Sequence, residues 1–310
     1  MDMKLSIVMT TYNGIKHIEA QLDSILNQKR KADEVLIYDD GSNDGTIEFI
    51  GKYISNNKLN DTWKLIVNEE NKGWRRNFVE GIWSSTGDLV FPCDQDDIWH
   101  EDKLEVIERI MINNPQIQVL TTNVTNLYDN GDKEQSSNQN EKLEKVSWKK
   151  HIFKVDAPGC VFCIRKKIVE KSKKYCNVEY AHDDYFWKLG LFADGLYNYN
   201  KDTIDYRRHD DSTFSIEVEK SRNTKARINW INMALDYCDD LIDYVSSDTT
   251  IVEKDKKIFV IKRNRKYLNL RKRFYEKGNP LLIFPMMMYS DCYLQSRQLL
   301  GDIYIKYVSR

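Results

Sequence analysis

The chain has 310 residues, 41% of them hydrophobic and 31% charged, with a formal net charge of −1. That length suits one large α/β domain, or a domain of ~200–250 residues carrying an appendage. No apolar run approaches the ~20 residues of a spanning helix, and the opening "MDMK" lacks the organisation of a signal peptide, which excludes export by that route and makes a cytoplasmic location the expectation.

In chain order, "KLSIVMTTY" is a β-branched, apolar run that reads as a buried strand. "GIKHIEAQLDSILNQ" places apolar residues at 15, 18, 22, 25 and 26, a helical stripe. "ADEVLIYDDGS" is a second strand ending in two Asp and a Gly turn, and "DGTIEFIGKYISNN" returns to helical spacing. "WKLIVNEENKG", "RRNFVEGIWSST", "GDLVFPCDQDD" and "HEDKLEVIERIMINN" continue as strand, helix, strand and helix. The alternation predicts an α/β fold with a mostly parallel sheet covered by helices.

Residues 116–127 read as a further strand, and "YDNGDKEQSSNQNEK" as a mobile loop. "APGCVFCIRKKIVEKSKKY" gives strand then helix, "HDDYFWKLGLFADG" a helix, and "YNYNKDTIDYRRHDDS" an edge strand running into a loop. After about residue 215 the pattern is helical, in three amphipathic segments of which "MMMYSDCYLQSRQLLGDIYIKYV" is the last. Residues 254–277 hold eleven Lys or Arg against two acids, a local +9, so the rest of the chain totals about −10. Such a helix wants an anionic surface; no nucleic-acid fold precedes it, and lipid is the surface expected. Six cysteines are scattered, and the single C-x-x-C pair, Cys160 and Cys163, reads as buried structural thiols on a strand.

The polar residues cluster just after strand ends, at 10–13, 39–42, 71–73 and 94–97. In open α/β sheets that edge binds ligands. Asp94, Asp96 and Asp97 are three carboxylates in four positions, mutually repelling and costly to desolvate. Capping the next helix needs one Asp; three point to a cation or a proton. Mg2+ or Mn2+ takes carboxylate and phosphate oxygens together. Asp94 and Asp96, two apart, can lean toward one cation in a tight turn, leaving Asp97 to cap the helix. There is no Walker-type loop and no G-x-G-x-x-G, so a metal must carry much of any phosphate charge.

"SIVMTTYNG", "YDDGSNDGT", "NEENKGWRRNF" and "GDLVFPCDQDDIW", in this order and spacing, resemble the nucleotide-sugar half of glycosyltransferase family 2. "GCVFCIRKK", "HDDYFWKLGLF" and "DYRRHDDS" resemble its acceptor half, and "CDQDDIW" with the late "HD" and "YR-x-H" is similar to bacterial rhamnosyltransferase-like members that build surface polysaccharide. The resemblance implies a GT-A fold, a Rossmann-like sheet flanked by helices, over residues 1–215 (1–115 for the donor, 116–215 for the acceptor), with 216–310 a helical, basic extension. It implies a nucleoside-diphosphate sugar donor, Mg2+ or Mn2+, and inversion at the anomeric carbon. Thr10 and Tyr12 match positions that hold base and ribose, and Asp40 the acid that reads the pyrimidine N–H. Asp94 and Asp96 match the "D-x-D" pair, Asp96 being the direct metal ligand. Asp183 matches the general base, and His209 a metal- or phosphate-contacting position. Asn71, Arg76 and Arg207 complete the set expected around the donor.

The chemistry of these residues agrees with the resemblance. A uracil or thymine ring offers one N–H between two carbonyls, which a single carboxylate can read, and Tyr12 supplies a flat face. A bound cation offsets the charge developing on the departing diphosphate. One carboxylate near the acceptor hydroxyl suffices for inversion. Each residue also has a plainer role open to it: Tyr12 as packing, Asp39 or Asp40 as turn former, Asp183 or Asp184 as helix cap, His209 as a solvated loop residue, Arg207 and Arg208 as surface arginines. The chain departs from the family at "WRRNF", which leaves Arg75 and Arg76 open as phosphate contacts, and at Asn123, where relatives often carry Asp. The expectation is an inverting, metal-dependent transferase moving a sugar, rhamnose by family tendency, from a dTDP- or UDP-linked donor to a hydroxyl of a lipid-linked surface glycan. The rivals are a polyprenyl-phosphate sugar transferase, a Mg2+-binding receiver-type domain and a non-catalytic sugar-nucleotide scaffold.

Overall fold

A computed structural model describes residues 2–175, 177–178, 180–208, 223–295 and 297–308. They fall into two compact units, Met1–Val146 with Val155–Arg208, and Ser147–Lys154 with His209–Arg310. Among the described residues no helix is long and apolar enough to cross a membrane.

The first unit is built on one sheet. Its strands are β1 (Leu5–Thr11), β2 (Glu34–Asp39), β3 (Trp63–Val67), β4 (Leu89–Cys93), β5 (Ile98–Trp99), β6 (Val119–Tyr128), β7 (Lys133–Glu134), β8 (Leu143–Lys145), β9 (Cys163–Arg165) and β10 (Leu196–Arg208). The spatial order is β3-β2-β1-β4-β9-β6-β10-β5, with β7 on β6 and β8 on β10. β1 lies parallel between β2 and β4, so Leu5, Ile7, Val8 and Met9 are lost to solvent on both faces, as a continuous apolar run requires. Helices α1 (Ile18–Leu26), α2 (Thr46–Asn56) and α3 (Trp74–Ser84) alternate with β1 to β4, α4 (Lys103–Asn113) follows β5, and α5 (Lys166–Tyr175) and α6 (His182–Phe192) lie between β9 and β10. Register does the aligning: Thr11 pairs with Asp39, Met9 with Cys93, and Asp39 with Val67. The ends of β1, β2, β3 and β4 therefore deliver their loops to one edge.

Two expectations for this unit give way. β10 is no edge strand: it lies parallel to β6 and antiparallel to β5 and β8. Its Asp residues look like a solvated face but take partners inside the unit, Asp202 through Oδ2 alone, its buried Oδ1 having no hydrogen-bond partner among the described residues. Asp202 Oδ2 accepts from Thr125 Oγ1 and Ser136 N, and Asp205 holds His100 at 3.1 Å and Lys133 at 2.6 Å. The segment after β6, expected as a mobile loop, is tied down by the same strand and by Asn123 Nδ2, which donates to Ser136 Oγ and Asn138 O.

The second unit pairs α7 (Thr224–Ser247) with α8 (Lys254–Lys277), followed by the short α9 (Ile283–Met287) and by α10 (Gln298–Tyr307). The expected single last helix is broken between α9 and α10 by a 3-10 turn (Ser290–Cys292) and extended backbone at Tyr293. The break lets the Tyr293 ring meet Tyr267 at 4.6 Å and brings Asp302 onto Arg271. That ion pair is two-pronged, Nε to Oδ2 at 2.7 Å and Nη2 to Oδ1 at 2.6 Å. Tyr275 and Tyr293 hydroxyls donate to the remaining lone pairs, at 2.6 and 3.2 Å. Both charges are buried and both are satisfied, the condition under which such a pair is tolerated. Asp302→Ala leaves the guanidinium buried and unpaired, and denaturant unfolding should show a loss of about 3–5 kcal/mol; a loss below about 1 kcal/mol would mean that water reaches the clamp.

Candidate functional site

The loop after β2 is organised by two adjacent acids with different tasks. Asp39 is the turn former: Oδ1 accepts from the Gly41 and Ser42 N–H groups, and Oδ2 from Thr11 Oγ1 at 2.7 Å. Gly41 has φ of 83°, a left-handed backbone that favours glycine. Asp40, also buried, reaches across to the loop after β3. Its Oδ1 accepts from Asn68 Nδ2 and Lys72 N, and its Oδ2 from Gly73 N at 2.8 Å. Asn71 folds onto the same turn, with Oδ1 accepting from Gly73 N at 3.1 Å. Asp40 thus anchors residues 71–73, and any base it reads must use its remaining lone pairs.

Thr10 is half-buried at the end of β1, and Tyr12 is 49% exposed, a free aromatic face at the ligand edge. Gln95, the middle residue of "CDQDD", ties Tyr12 to the acidic turn. Its Oε1 accepts from Tyr12 N at 2.9 Å and its Nε2 donates to Tyr12 O at 3.2 Å. A Cβ on Gly14 would lie 2.3 Å from Gln95 Oε1, so glycine makes room for the bridge. Sequence reasoning weighed the carboxylates of this turn and passed over the amide between them.

The turn itself corrects one expectation. Asp97 caps no helix, because α4 starts later, with Asp102 at its N-cap position. Instead Asp97 is buried, with Oδ1 accepting from Arg207 N at 3.0 Å and Oδ2 without a hydrogen-bond partner among the described residues. Arg207 Nε donates to Asp96 O at 2.8 Å, so β10 holds the turn from the far side. Asp94 and Asp97 offer ligand atoms within 4.8 Å of one another and of the Cys160 thiol. Burial first, and then the neighbouring carboxylates, push the Asp94 and Asp97 carboxyls well above the usual range. A buried, unpaired carboxylate oxygen among repelling carboxyls suits a hard divalent cation, and oxygen donors of this kind fit Mg2+ or Mn2+. Asp96 is half-buried beside them. His209 lies outside the described residues.

Cys160 is buried as expected but sits in a 3-10 turn (Gly159–Val161) after Pro158, not on a strand; Cys163 begins β9. Behind the turn, fully buried Lys103 lies 3.6 Å from the Trp99 ring centroid and donates to Cys160 O at 2.9 Å. Burial lowers its ammonium to about 8. This cation backs the acidic turn, yet in sequence it is only the first residue of an amphipathic helix.

Asp183 and Asp184 open α6, and neither caps it: Ala181 holds that position. Asp184 is taken by Lys188 one turn on, while Asp183 Oδ1 accepts only the next N–H, at 2.7 Å. Burial raises the Asp183 carboxyl, and the Asp183 charge in turn raises Asp94. Arg75, whose guanidinium lies 4.5 Å from the Trp74 ring, acts on Asp183 in the opposite sense. Arg76 Nε pairs with Glu80 Oε1 at 2.6 Å. Beneath Asp183, His182 is 3% exposed, 4.1 Å from the Phe78 ring, with no hydrogen-bond partner on either nitrogen. A Cβ on Gly159 would come within 2.4 Å of its Nε2.

Burial lowers the His182 imidazole from 6.5 to about 3. Above pH 6.5 the ring is neutral in both folded and unfolded chains. Below it, the unfolded chain takes a proton that the folded site refuses, so stability falls as pH falls, by up to about 1.4 kcal/mol per unit. Urea unfolding at pH 7 and pH 5 should show His182→Leu removing that part of the slope; an unchanged slope would mean the ring charges in the folded state.

The family described as Glycosyl transferase family 2 matches residues 6–172, more than half of the chain. The dTDP-rhamnosyl transferase RfbG of Shigella flexneri is 30% identical over 228 residues, covering 68% of this chain and 74% of the relative. Among solved structures, S. aureus TarS 1-349 in complex with UDP-GlcNAc superposes with a TM-score of 0.62 at 17% identity, over 99% of this chain and 88% of that one. The mannosyltransferase PcManGT of Pyrobaculum calidifontis, solved with GDP-Man and Mn2+, gives a TM-score of 0.53 at 14% identity, over 100% and 89%. The longer TarS chain is matched over 44% of its length. The sheet order, the loops gathered at its carboxyl edge and these matches agree: the chain belongs to glycosyltransferase family 2 and is a glycosyltransferase with the GT-A fold.

Proposed function

We propose that the enzyme is an inverting, Mg2+- or Mn2+-dependent transferase that moves a sugar, rhamnose in the first instance, from a dTDP- or UDP-linked donor to a hydroxyl of a growing, lipid-linked surface glycan. The observation that carries this reading is the electrostatic grouping of the acidic turn with Asp183: the Asp183 charge is among those that raise Asp94. A Cβ on Gly159 would lie 3.3 Å from Asp183 Cβ, and the next residue, Cys160, groups with Asp94 and Asp97, which supports reading the donor-side and acceptor-side carboxylates as parts of one centre. The Shigella relative named for dTDP-rhamnosyl transfer supports the choice of donor.

In this reading Tyr12 stacks on the pyrimidine, Thr10 meets the ribose, and Asp40 uses a spare lone pair for the ring N–H, with Asn71 shaping the loop that Asp40 anchors. Asp94 and Asp96 hold the cation, with Asp97 beside them and His209 as a further ligand. Bound there, the cation would supply positive charge to offset that of the departing diphosphate. Arg207 presents its guanidinium at the same turn, and Arg76 reaches a phosphate by leaving Glu80. Asp183, raised by burial, takes the acceptor proton on the opposite face of the sugar. The basic helix α8 places the enzyme on the inner face of the membrane that carries the acceptor.

Calorimetry of a nucleotide-sugar panel with Mn2+ or EDTA tests the donor side. A pyrimidine-diphosphate sugar should bind only with metal, and Asp96→Asn should weaken it at least about tenfold; no metal-dependent binding to any donor overturns the reading. Asp183→Asn should keep donor affinity and cut turnover by about 100- to 10,000-fold. Unchanged turnover would instead point to a phosphate acceptor, which needs no base.

A further inference from the structure

Residues 279–289, "NPLLIFPMMMY", form the longest uncharged apolar stretch of the second unit, and its hydrophobicity is not spent on a core. Met286 is buried, whereas Leu281, Phe284, Met287 and Met288 are 78, 75, 55 and 69% exposed. They follow a 3-10 turn (Pro280–Leu282) and α9 at spacings of three and four, which puts them along one side. Four large apolar side chains in a row on a soluble surface mark an interaction site.

The stretch runs back along α8. It leaves that helix at Gly278 and meets it again at Arg263, whose Nη2 donates to Met288 O at 2.9 Å and whose guanidinium lies 4.7 Å from the Tyr289 ring. One position round from Arg263 begins a row of exposed cations, Lys262, Lys266, Arg273 and Lys277. At about 100° per residue these four fall within about 60° of one another, and exposed Phe259 shares the arc. An apolar row and a cationic row therefore lie side by side on one helix pair.

We infer that this double row is a membrane-docking edge: Leu281, Phe284, Met287 and Met288 enter the acyl boundary of a bilayer rich in anionic phospholipid, while Lys262, Lys266, Arg273 and Lys277 meet its headgroups. Charge complementarity selects this occupant. A second copy would set this row of four exposed cations against its like, and nucleic acid has no use for a Phe/Met stripe. Anionic lipid satisfies both rows at once, the apolar one by burial and the cationic one at about 1 kcal/mol per residue near the surface. The inference rests on the reading that α8 meets a membrane, and adds the side chains that insert.

The test is co-flotation of the full-length protein with vesicles of phosphatidylglycerol and phosphatidylcholine in equal parts, and with phosphatidylcholine alone, for wild type, Phe284→Glu and Lys262→Glu/Lys266→Glu. Wild type should bind the anionic vesicles only. Phe284→Glu, at a solvent-facing position, should weaken binding at least about tenfold while its circular dichroism and donor calorimetry stay unchanged. Phe284→Trp should shift its emission to the blue on adding the anionic vesicles. If the lysine variant loses binding but Phe284→Glu does not, the contact is electrostatic alone and insertion is overturned, with the membrane reading intact. If wild type binds no vesicle, both fail, and a dimer in light scattering that Phe284→Glu breaks would make the row a self-association face. Donor binding reports on the transferase reading separately in every case.

Discussion

Everything at the ligand edge answers to one electrostatic constraint: carboxylates at the end of a buried parallel strand cannot all remain charged without a counter-charge. β4 leads Asp94 and Asp97 into a setting where burial and repulsion both oppose their ionisation. The surrounding structure is arranged in answer. The Arg207 main chain and side chain hold the turn from β10, Lys103 lies fully buried behind it, and Gln95 fastens it to the loop after β1. One carboxylate oxygen of Asp97 is left unmatched, and a divalent cation is the natural complement of that remainder.

The alternation of strands and helices and the gathering of loops were legible in the sequence because buried parallel strands read as unbroken apolar runs, and amphipathic helices as a different period. "SIVM" and "LVF" can hardly be anything else. What misled was polarity with hidden partners. β10 looks like an edge because its stretch carries Asp202 and Asp205, yet Asp205 is held by His100 and Lys133, and Asp202 Oδ2 by Thr125 and Ser136, from elsewhere in the chain. Periodicity reports the side a residue faces, and is silent about a partner seventy residues away.

The same logic explains which site residues escaped notice. Acids in a cluster are conspicuous, so Asp94, Asp96, Asp97 and Asp183 stand out. Gln95, Lys103 and His182 are single residues of ordinary type whose importance comes from tertiary neighbours: a bridging amide, an ammonium over an indole, an imidazole stacked on Phe78. In the second unit, Arg271 reads as one more cation of a basic helix, although it is the one that Asp302 and two tyrosines bury. Composition along α8 blends a structural arginine with cations left facing solvent, and only burial separates them.

The amide of Gln95 has a consequence for how a donor is felt. It holds residue 12 at both its N–H and its carbonyl, so the loop carrying Tyr12 and the turn carrying the acids are one mechanical piece. Where binding at one end shifts such a piece, binding at the other is coupled to it, and the coupling acts equally in both directions. A ligand that shifts this piece on settling against the aromatic ring would alter the affinity of the acidic turn, and occupancy of the turn would alter the grip at the ring by the same factor. Selectivity for one end of an extended ligand is then exercised partly at the other.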